Sequence, residues 1–488
     1  MTRKISIDPI TRLEGHGKIE IFLDDSGAVE ETFFQIPELR GFERFVVGRP
    51  IEELPRIVTR ICGVCPASHH MASAKAVDGC FGGQVAPLAH KLRDMYYNAH
   101  YIHSHIAHFY ALAAPDFVLG PDSDPAERNV LGVVHKVGLE IGGAVIKARS
   151  QAQEIQRIIG GRNTQDIWCL PGGVAKGLKP EELEQIRPWV DELYDFAQFS
   201  LQLFRDVVLA NKTYVDIIVN GPYTLDVHSM GLVDENNAPN FYDGRVRVVD
   251  FEGKEICSYT PTEYADYVAE HVESWSYLKF PYLKQRGWKG FHEGIDTSIY
   301  CATPLARLNV ADHMATPKSQ VAFEEMFSTL GGHPCRLLLA NHWARLVEMV
   351  QNAETLQRYC ADPEITGDQF RVIPDIVTGE GVGIVEAMRG TLTHHYTCDE
   401  HAICTSANLI VGTTNNNAPI QMVTKKVAQH LIKPGVEPDQ GILNMIEMAF
   451  RAFDPCYSCA THSLPGEMPL DVQVYKGGEP YRRFRRNC

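Results

Sequence analysis

Two pairs of cysteines at opposite ends of the chain constrain its fold more than any other feature of the sequence. Cys62 and Cys65 form the first Cys-x-x-Cys pair, and Cys456 and Cys459 form the second. This spacing lets both sulfurs of a pair bind one metal ion from a turn or from the first turn of a helix. If both pairs bind the same metal, the long loop between them closes only in the complete fold, which predicts a central, buried site.

The ligand type narrows the metal without identifying it. Thiolates are soft ligands, so four of them favour zinc, iron, nickel or a cluster over calcium or magnesium. A thioredoxin-like redox pair would follow a strand within a βαβ unit, and a zinc ribbon takes both pairs from a local run with roughly 15–20 intervening residues. A structural zinc site made of the four cysteines stays open at this point, because spacing does not distinguish nickel from zinc.

Composition indicates one large acidic body. A length of 488 residues corresponds to about three domains at ~150 residues each, but the cysteine pairs argue that both ends meet in one body. The formal net charge is −15, and the single notable basic run is the short Arg482–Arg486 stretch, so nucleic acid is not an expected partner.

The chain shows no secretory signal and no apolar run of about 18 residues, which predicts a cytoplasmic protein without a membrane span. Of the 13 cysteines, those outside the two pairs are scattered, as is typical of reduced core thiols. They include no second set with ferredoxin-like spacing that would hold a cluster relay.

Hydrophobic periodicity predicts a mainly α protein with small β elements, an α+β bundle of long helices with an N-terminal hairpin. The predicted helices cover 39–48, 66–80, 87–113, 132–159, 180–215, 317–361 and 438–452. The predicted β elements are a hairpin over 4–36, a hairpin beginning at 245–251, and strands at 404–413 and 469–475. The glycine-rich run 379–383 lacks the lysine of a P-loop, so we assign it no phosphate role.

Several motifs in the same order resemble the large subunit of nickel–iron hydrogenases, and the resemblance covers nearly the whole chain. They are RICGVCPASH (60–69), DPCYSCATH (454–462), IDPITRLEGH (7–16), RGFE (40–43), EAMRGTL (386–392) and NLIVGTT (408–414). The likeness is greatest to the cytoplasmic branch that includes methyl-viologen-reducing and NAD-reducing enzymes, through WSYLKFPY (275–282) and HHY (394–396).

The resemblance implies two metal sites. A nickel–iron centre, whose iron carries carbonyl and cyanide ligands, would be held by Cys62, Cys65, Cys456 and Cys459. Cys65 and Cys459 would also bridge nickel to iron. Magnesium or a similar divalent ion would be held by Glu43, the carbonyl of Leu409 and His462. A histidine ligand is unusual for magnesium, which prefers oxygen.

The resemblance also implies roles for four further residues. Glu14 matches the first proton acceptor, beside Cys456, and Arg389 matches a fixed cation at the open metal face. His69 would hydrogen-bond a sulfur and tune its basicity, and Thr413 would donate to an iron-bound cyanide. The alternatives are an ordinary surface glutamate and arginine, plain packing for His69 and a turn hydroxyl for Thr413.

The implied function is reversible cleavage of H2 into protons and electrons. The expected partners are an iron–sulfur small subunit, further diaphorase- or heterodisulfide-reductase-type electron-transfer subunits, and a maturation endopeptidase. That protease would cut after His462, leaving one domain over 1–462 and releasing 463–488. Two alternatives stay open: a scaffold related to the quinone-site subunit of respiratory NADH dehydrogenase, which lacks the metal cysteines, and a structural zinc protein.

Overall fold

The computed structural model describes residues 3–435, 437–460, 470–476 and 479–486, and it confirms the mainly helical α+β class. Its longer helices are Pro66–Cys80, Pro87–Ala107, Val130–Val137, Leu139–Gly160, Pro180–Phe204, Lys212–Asn220, Pro304–Val310, Pro317–Thr329, Asn341–Ala361, Asn417–Leu431 and Gln440–Arg451. The four-residue helices are Phe42–Phe45, Leu54–Ile57, Tyr264–Tyr267 and Tyr457–Ala460. Within these described ranges, no helix is both long and apolar enough to cross a membrane.

The strands form several small sheets. The three-stranded sheets are Arg3–Ile7, Lys18–Leu23 and Val29–Gln35, and Glu380–Ala387, Gly390–Cys398 and Cys404–Ile410. The four-stranded sheet has the order Tyr300–Cys301, His228–Val233, Arg245–Val249 and Glu255–Tyr259. The two-stranded sheets pair Val268–Val272 with Lys279–Leu283, Cys169–Leu170 with Gly173–Val174, and Leu470–Lys476 with Glu479–Arg486. Neighbouring strands are antiparallel except Tyr300–Cys301 and His228–Val233.

The N-terminal hairpin predicted over 4–36 is a three-stranded sheet interrupted by a loop at 8–17. The loop leaves the first strand at Pro9 and carries Gly15 at φ +91°, so the apolar–polar alternation does not continue through it. Glu14 therefore does not belong to the hairpin. It forms an isolated parallel bridge with Cys456 instead.

Two of the predicted helices, Pro66–Cys80 and Gln440–Arg451, have nearly the expected bounds. The helix predicted over 87–113 is α-helical to Ala107 and continues as a π-helix over His108–Ala113. The helix predicted over 39–48 is reduced to Phe42–Phe45, because Gly41 and Gly48 on either side have positive φ.

Three long predictions were wrong in continuity. The 132–159 helix is two helices that meet at Gly138, whose φ is 93°. The 180–215 helix ends at Phe204, and a π segment and a second helix beginning at Lys212 follow. The 317–361 segment breaks between Thr329 and Asn341, where two glycines have positive φ. Periodicity of apolar residues persists across such breaks because both pieces face the same core.

One helix–sheet contact positions the first cysteine pair. The cysteine helix (Pro66–Cys80) packs on the central sheet (Glu380–Ala387, Gly390–Cys398 and Cys404–Ile410). A Cβ atom on Gly381 would lie 1.9 Å from a carbonyl oxygen of this helix, and one on Gly383 would lie 2.0 Å from another. The glycine-rich run thus allows close helix–sheet packing.

Candidate metal centre

The two cysteine pairs are presented by different local structures. Cys62 is extended and follows a 3-10 turn, whereas Cys65 caps the cysteine helix, with Pro66 at the first helical position. Proline suits that position because its missing N–H has no helical partner there. Cys456 follows an irregular turn, and Cys459 lies in the short helix Tyr457–Ala460. Each pair therefore points both sulfurs in one direction from a chain reversal.

The structure brings all four sulfurs together. Their Sγ atoms lie within 4.8 Å of one another. Cys62 and Cys456 are 3.2 Å apart, Cys65 and Cys459 are 3.3 Å apart, and Cys456 and Cys459 are 2.9 Å apart. None of the four is more than 5% exposed. The arrangement is the single, central, buried cluster that the spacing of the pairs predicts.

The chemistry of this cluster fits a cationic soft metal. Burial raises the pKa of the Cys456 and Cys459 thiols. Burial also opposes ionisation of Cys62, but hydrogen bonds from the neighbouring thiols and the charge of Arg389 hold its pKa well below the usual range. The amides of Val64 and Cys65 donate to Cys62 Sγ, each at 3.2 Å. A bound cation would stabilise the remaining thiolates in the same way.

Arg389 lies beside the cluster in a two-residue turn of the central sheet. It is 4% exposed, and one guanidinium nitrogen lies 3.0 Å from Asp454 Oδ2. Asp454 Oδ1 lies 3.0 Å from Nδ1 of His108. Burial opposes the charge of Asp454, but Arg389 and His108 hold its pKa well below the ordinary value. The alternative of a surface arginine is wrong.

Asp454 and His108 were missed by reasoning from sequence. Asp454 lies two residues before Cys456 and has a positive φ of 54°, which turns the chain between the preceding helix and the cysteine pair. An acidic residue at a fixed offset from a metal-binding cysteine was the available signal. His108 could not be distinguished from the other histidines of its helix.

Glu14 contacts the second cysteine pair directly. Its Oε2 atom lies 3.0 Å from Cys456 Sγ and accepts a hydrogen bond from the amide of Ser458 at 3.1 Å. Its carbonyl accepts from the amide of Tyr457 at 3.0 Å. Backbone and side chain of one residue thus bind the same turn, which fixes the carboxylate against the sulfur.

Arg12 anchors the loop that carries Glu14. Its guanidinium donates to Asp116 Oδ1 at 2.5 Å, to Asn444 Oδ1 at 2.8 Å and to the carbonyl of Leu112 at 3.0 Å. Arg12 has a positive φ of 56°, a costly conformation for a residue with a side chain. The sequence motif around Glu14 contains Arg12, but its partners are distant in sequence and gave no signal.

Glu43 is buried at a second charged site. Its Oε1 atom accepts from the amide of Leu409 at 2.8 Å and from Nζ of Lys279 at 3.2 Å. Lys279 also pairs with Glu270 at 2.8 Å. Oε2 of Glu43 is buried and has no hydrogen-bond partner among the described residues. His462 lies outside the residues that the structure describes, and Lys279 was not anticipated.

His69 and Thr413 occupy different surroundings near the cluster. The hydroxyl oxygen of Thr413 accepts from the amide of Cys456 at 2.9 Å. Nδ1 of His69 lies 3.1 Å from Nε2 of His394, and its own Nε2 has no hydrogen-bond partner in the described part of the chain. Burial lowers the pKa of His69 to about 4, so its ring is neutral near pH 7.

Comparison with protein families agrees with this geometry. The family model described as "Nickel-dependent hydrogenase" matches residues 40–119 and 223–462. A second family model, described as "HoxL-like", matches residues 4–39. The matched regions contain both cysteine pairs and the loop that carries Glu14.

Individual relatives match over almost their full lengths. The chain is 47% identical to an F420-non-reducing hydrogenase iron-sulfur subunit of Archaeoglobus profundus over 484 residues, which covers 99% of each chain. It is 37% identical to the beta subunit of the NAD-reducing hydrogenase HoxS of Cupriavidus necator, covering 97% of this chain and 98% of the relative. These similarities exceed what a shared fold alone requires.

Solved structures give the same result. A crystal structure of an NAD+-reducing [NiFe]-hydrogenase in the H2-reduced state superposes with a TM-score of 0.88 at 36% identity, covering 94% of this chain and all of that chain. The metal-free scaffold and structural zinc alternatives find no support in these matches. The chain therefore belongs to the nickel-dependent hydrogenase family, in which it is a catalytic large subunit.

Proposed function

We propose that this chain cleaves H2 reversibly into protons and electrons at the four-cysteine cluster, with Glu14 as the first proton acceptor. The single observation that carries the assignment of residues is the 3.0 Å contact between the Glu14 carboxylate and Cys456 Sγ. It places a titratable base against one sulfur of a buried metal-binding group, as heterolytic cleavage requires.

The metal ligands follow from the pairing of the sulfurs. Cys62, Cys65, Cys456 and Cys459 would hold nickel, and Cys65 with Cys459, 3.3 Å apart, would also bridge to an iron with carbonyl and cyanide ligands. When bound, this nickel–iron centre polarises H2, so that a base can remove a proton from it. The soft, buried sulfur set supports this assignment.

The residues around the sulfurs direct the proton. Cys456 Sγ passes it to Oε2 of Glu14, and the Ser458 amide holds that oxygen in place. Arg389 keeps a fixed positive charge next to the sulfurs, and Asp454 orients its guanidinium. Thr413 accepts from the Cys456 amide, which leaves its hydroxyl hydrogen available for an iron-bound cyanide.

A second ion would bind at Glu43, with the carbonyl of Leu409 and His462. The buried carboxylate oxygen of Glu43 without a protein partner among the described residues supports this proposal, since such an oxygen is costly unless a cation or water binds it. Lys279 compensates part of the charge of Glu43 and Glu270. Magnesium or a similar divalent ion suits the oxygen ligands.

The electrons would leave through an iron–sulfur small subunit. Support comes from the relatives, which are named as subunits of hydrogenases, and from the cysteines, which offer no ferredoxin-like set in this sequence. Diaphorase- or heterodisulfide-reductase-type subunits would carry the electrons further. The scattered thiols suit the reducing cytoplasm, where we place the enzyme.

The segment 463–488 would be removed by a maturation endopeptidase after nickel is loaded. The family match ends at residue 462, and the strands Leu470–Lys476 and Glu479–Arg486 pair with each other as a separate two-stranded sheet. Cutting after His462 would free the end that carries Cys456 and Cys459 to close the centre. The cut site itself lies outside the described residues.

Metal analysis of the anaerobically purified protein, produced with its maturation proteins, tests the assignment. We expect nickel and iron in each chain and H2-dependent dye reduction. One zinc per chain, with no nickel and no exchange of hydrogen isotopes with solvent, would contradict it.

A further inference from the structure

Four buried polar side chains form a hydrogen-bonded chain between the cysteine helix and the central sheet. His69 and Ser73 lie one helical turn apart, and His394 and Tyr396 lie two residues apart on one strand, so each pair shares a face. Nδ1 of His394 lies 2.5 Å from the Tyr396 hydroxyl, which donates to Ser73 Oγ at 2.9 Å. All four side chains are fully buried.

The hydrogen atoms of this chain run in one direction. Because the single hydroxyl hydrogen of Tyr396 goes to Ser73, the Tyr396 oxygen accepts from Nδ1–H of His394. A neutral imidazole carries one hydrogen, so Nε2 of His394 accepts from Nδ1–H of His69. His69 is neutral as well, and its Nε2 therefore carries an electron pair and no hydrogen.

That Nε2 atom faces the environment of the metal centre. The helix that carries His69 begins directly after Cys65, and the charge of Cys62 acts on the His69 ring. Nε2 is buried, and the part of the chain that the structure describes supplies no hydrogen-bond partner for it. Such a nitrogen is an unused acceptor within the core, and its strength depends on the tautomer.

We propose that Ser73, His394 and Tyr396 are positioning residues that hold the His69 ring and set its tautomer, so that Nε2 accepts a hydrogen bond from a protonated cysteine of the centre. The cysteine's role in this inference rests on the proposed function. The tautomer is a property of the chain itself. Outer residues that orient a group next to a metal affect activity about 10–100-fold.

Nitrogen-15 NMR of the full-length, metal-free chain labelled at histidine tests the tautomer, with the His69 signals assigned by their loss in His69→Gln. We expect hydrogen on Nδ1 in the unmodified protein. In Ser73→Ala, Tyr396 loses its acceptor and turns to donate to His394. The whole chain of hydrogens then reverses, and His69 should carry its hydrogen on Nε2.

Tyr110→Phe is the matched control, because it removes a buried tyrosine hydroxyl that contacts Ser200, outside this network. It should leave the His69 signals unchanged. Hydrogen on Nε2 of His69 in the unmodified chain, or no reversal in Ser73→Ala, would overturn the inference. If Ser73→Ala does not fold, Tyr396→Phe serves instead, and a single unchanged tautomer there would overturn it as well.

The same variants separate this inference from the proposed function. In nickel-loaded enzyme, Tyr396→Phe should lower the H2 oxidation rate by about tenfold with unchanged nickel content. Absence of nickel from the unmodified protein would refute the proposed function and leave the NMR result valid. An unchanged tautomer in an active, nickel-loaded enzyme would refute only the positioning role.

Discussion

At the scale of single residues, the centre combines buried sulfurs with fixed charges of both signs. Arg389 and Asp454 form a buried ion pair, and His108 contacts the same carboxylate. Removing one member of such a group leaves the other charge buried without a partner, which destabilises more than the pair itself contributes. Substitutions that keep shape and change only proton transfer are therefore the most informative.

Glu14→Gln should stop proton transfer and leave the metals in place. Glutamine keeps an oxygen that accepts from the Ser458 amide, but it cannot take a proton from Cys456. We expect a loss of at least about 100-fold in H/D exchange with solvent, with unchanged nickel content. Glu38→Gln is the control, because Glu38 is a glutamate that contacts the exposed His16. Normal exchange in Glu14→Gln would move the proton route to another residue.

Cys62→Ser and Cys456→Ser should each abolish nickel binding and H2-dependent dye reduction. The two sulfurs are 3.2 Å apart, and either substitution removes one soft ligand and one negative charge from the centre. Cys257→Ser, at a half-buried cysteine away from both pairs, should retain nickel and activity. Full nickel content in either cluster variant, measured by elemental analysis, would contradict the four-sulfur assignment.

At the scale of elements, the position of the first cysteine pair depends on how closely the cysteine helix approaches the central sheet. Gly381 and Gly383 permit this approach, because any side chain there would collide with the helix backbone. The strand carrying them is paired with Gly390–Cys398, whose first residue follows Arg389. Packing of one helix on one sheet thus places two sulfurs, the arginine and the His69 network together.

Gly383→Ala should destabilise the chain by about 1–3 kcal/mol, because its Cβ would lie 2.0 Å from the carbonyl oxygen of Ala72 and the helix would have to move. Gly143→Ala is the opposite control. Gly143 lies within the helix Leu139–Gly160 with no atom within 4 Å of an added Cβ. Alanine there should stabilise by about 0.5–1 kcal/mol.

Denaturant unfolding of the metal-free chains measures both changes. Equal stability of Gly383→Ala and the unmodified protein would show that the helix tolerates a larger separation from the sheet.

At the scale of the whole molecule, the two ends of the sequence meet around the centre. The loop carrying Glu14 bonds to the turn at Cys456, and Arg12 fixes that loop to residues from two other parts of the chain. Closing the second cysteine pair onto the first therefore also places the proton acceptor. A segment that delays this closure until nickel is loaded would have a clear purpose.

Intact-mass measurement of active enzyme tests the removal of 463–488. We expect a chain that ends at His462 and that copurifies with an iron–sulfur small subunit. The same preparation without nickel should retain the full 488 residues. Active, nickel-loaded protein ending at Cys488 would rule out processing, and a reducible cluster relay in the isolated chain would contradict the need for a small subunit.

Much of the centre followed from the sequence because its chemistry depends on residue type and short-range spacing. Two cysteines three residues apart can bind one metal whatever the rest of the chain does, and the motifs around Glu14, Glu43, Arg389 and Thr413 carry the family likeness. The long helices were predicted from periodicity, although Gly138 and the break after Thr329 were not recognised as helix boundaries.

Only the tertiary structure decided which side chains meet. Asp454 with His108, Glu43 with Lys279 and His69 with His394 are contacts between residues far apart in sequence, and no local pattern encodes them. The N-terminal loop shows the same limit: its alternation predicts a strand, but Glu14 pairs with Cys456. Local propensity is weak compared with burial and long-range hydrogen bonding, so these pairings form only when the whole core is assembled.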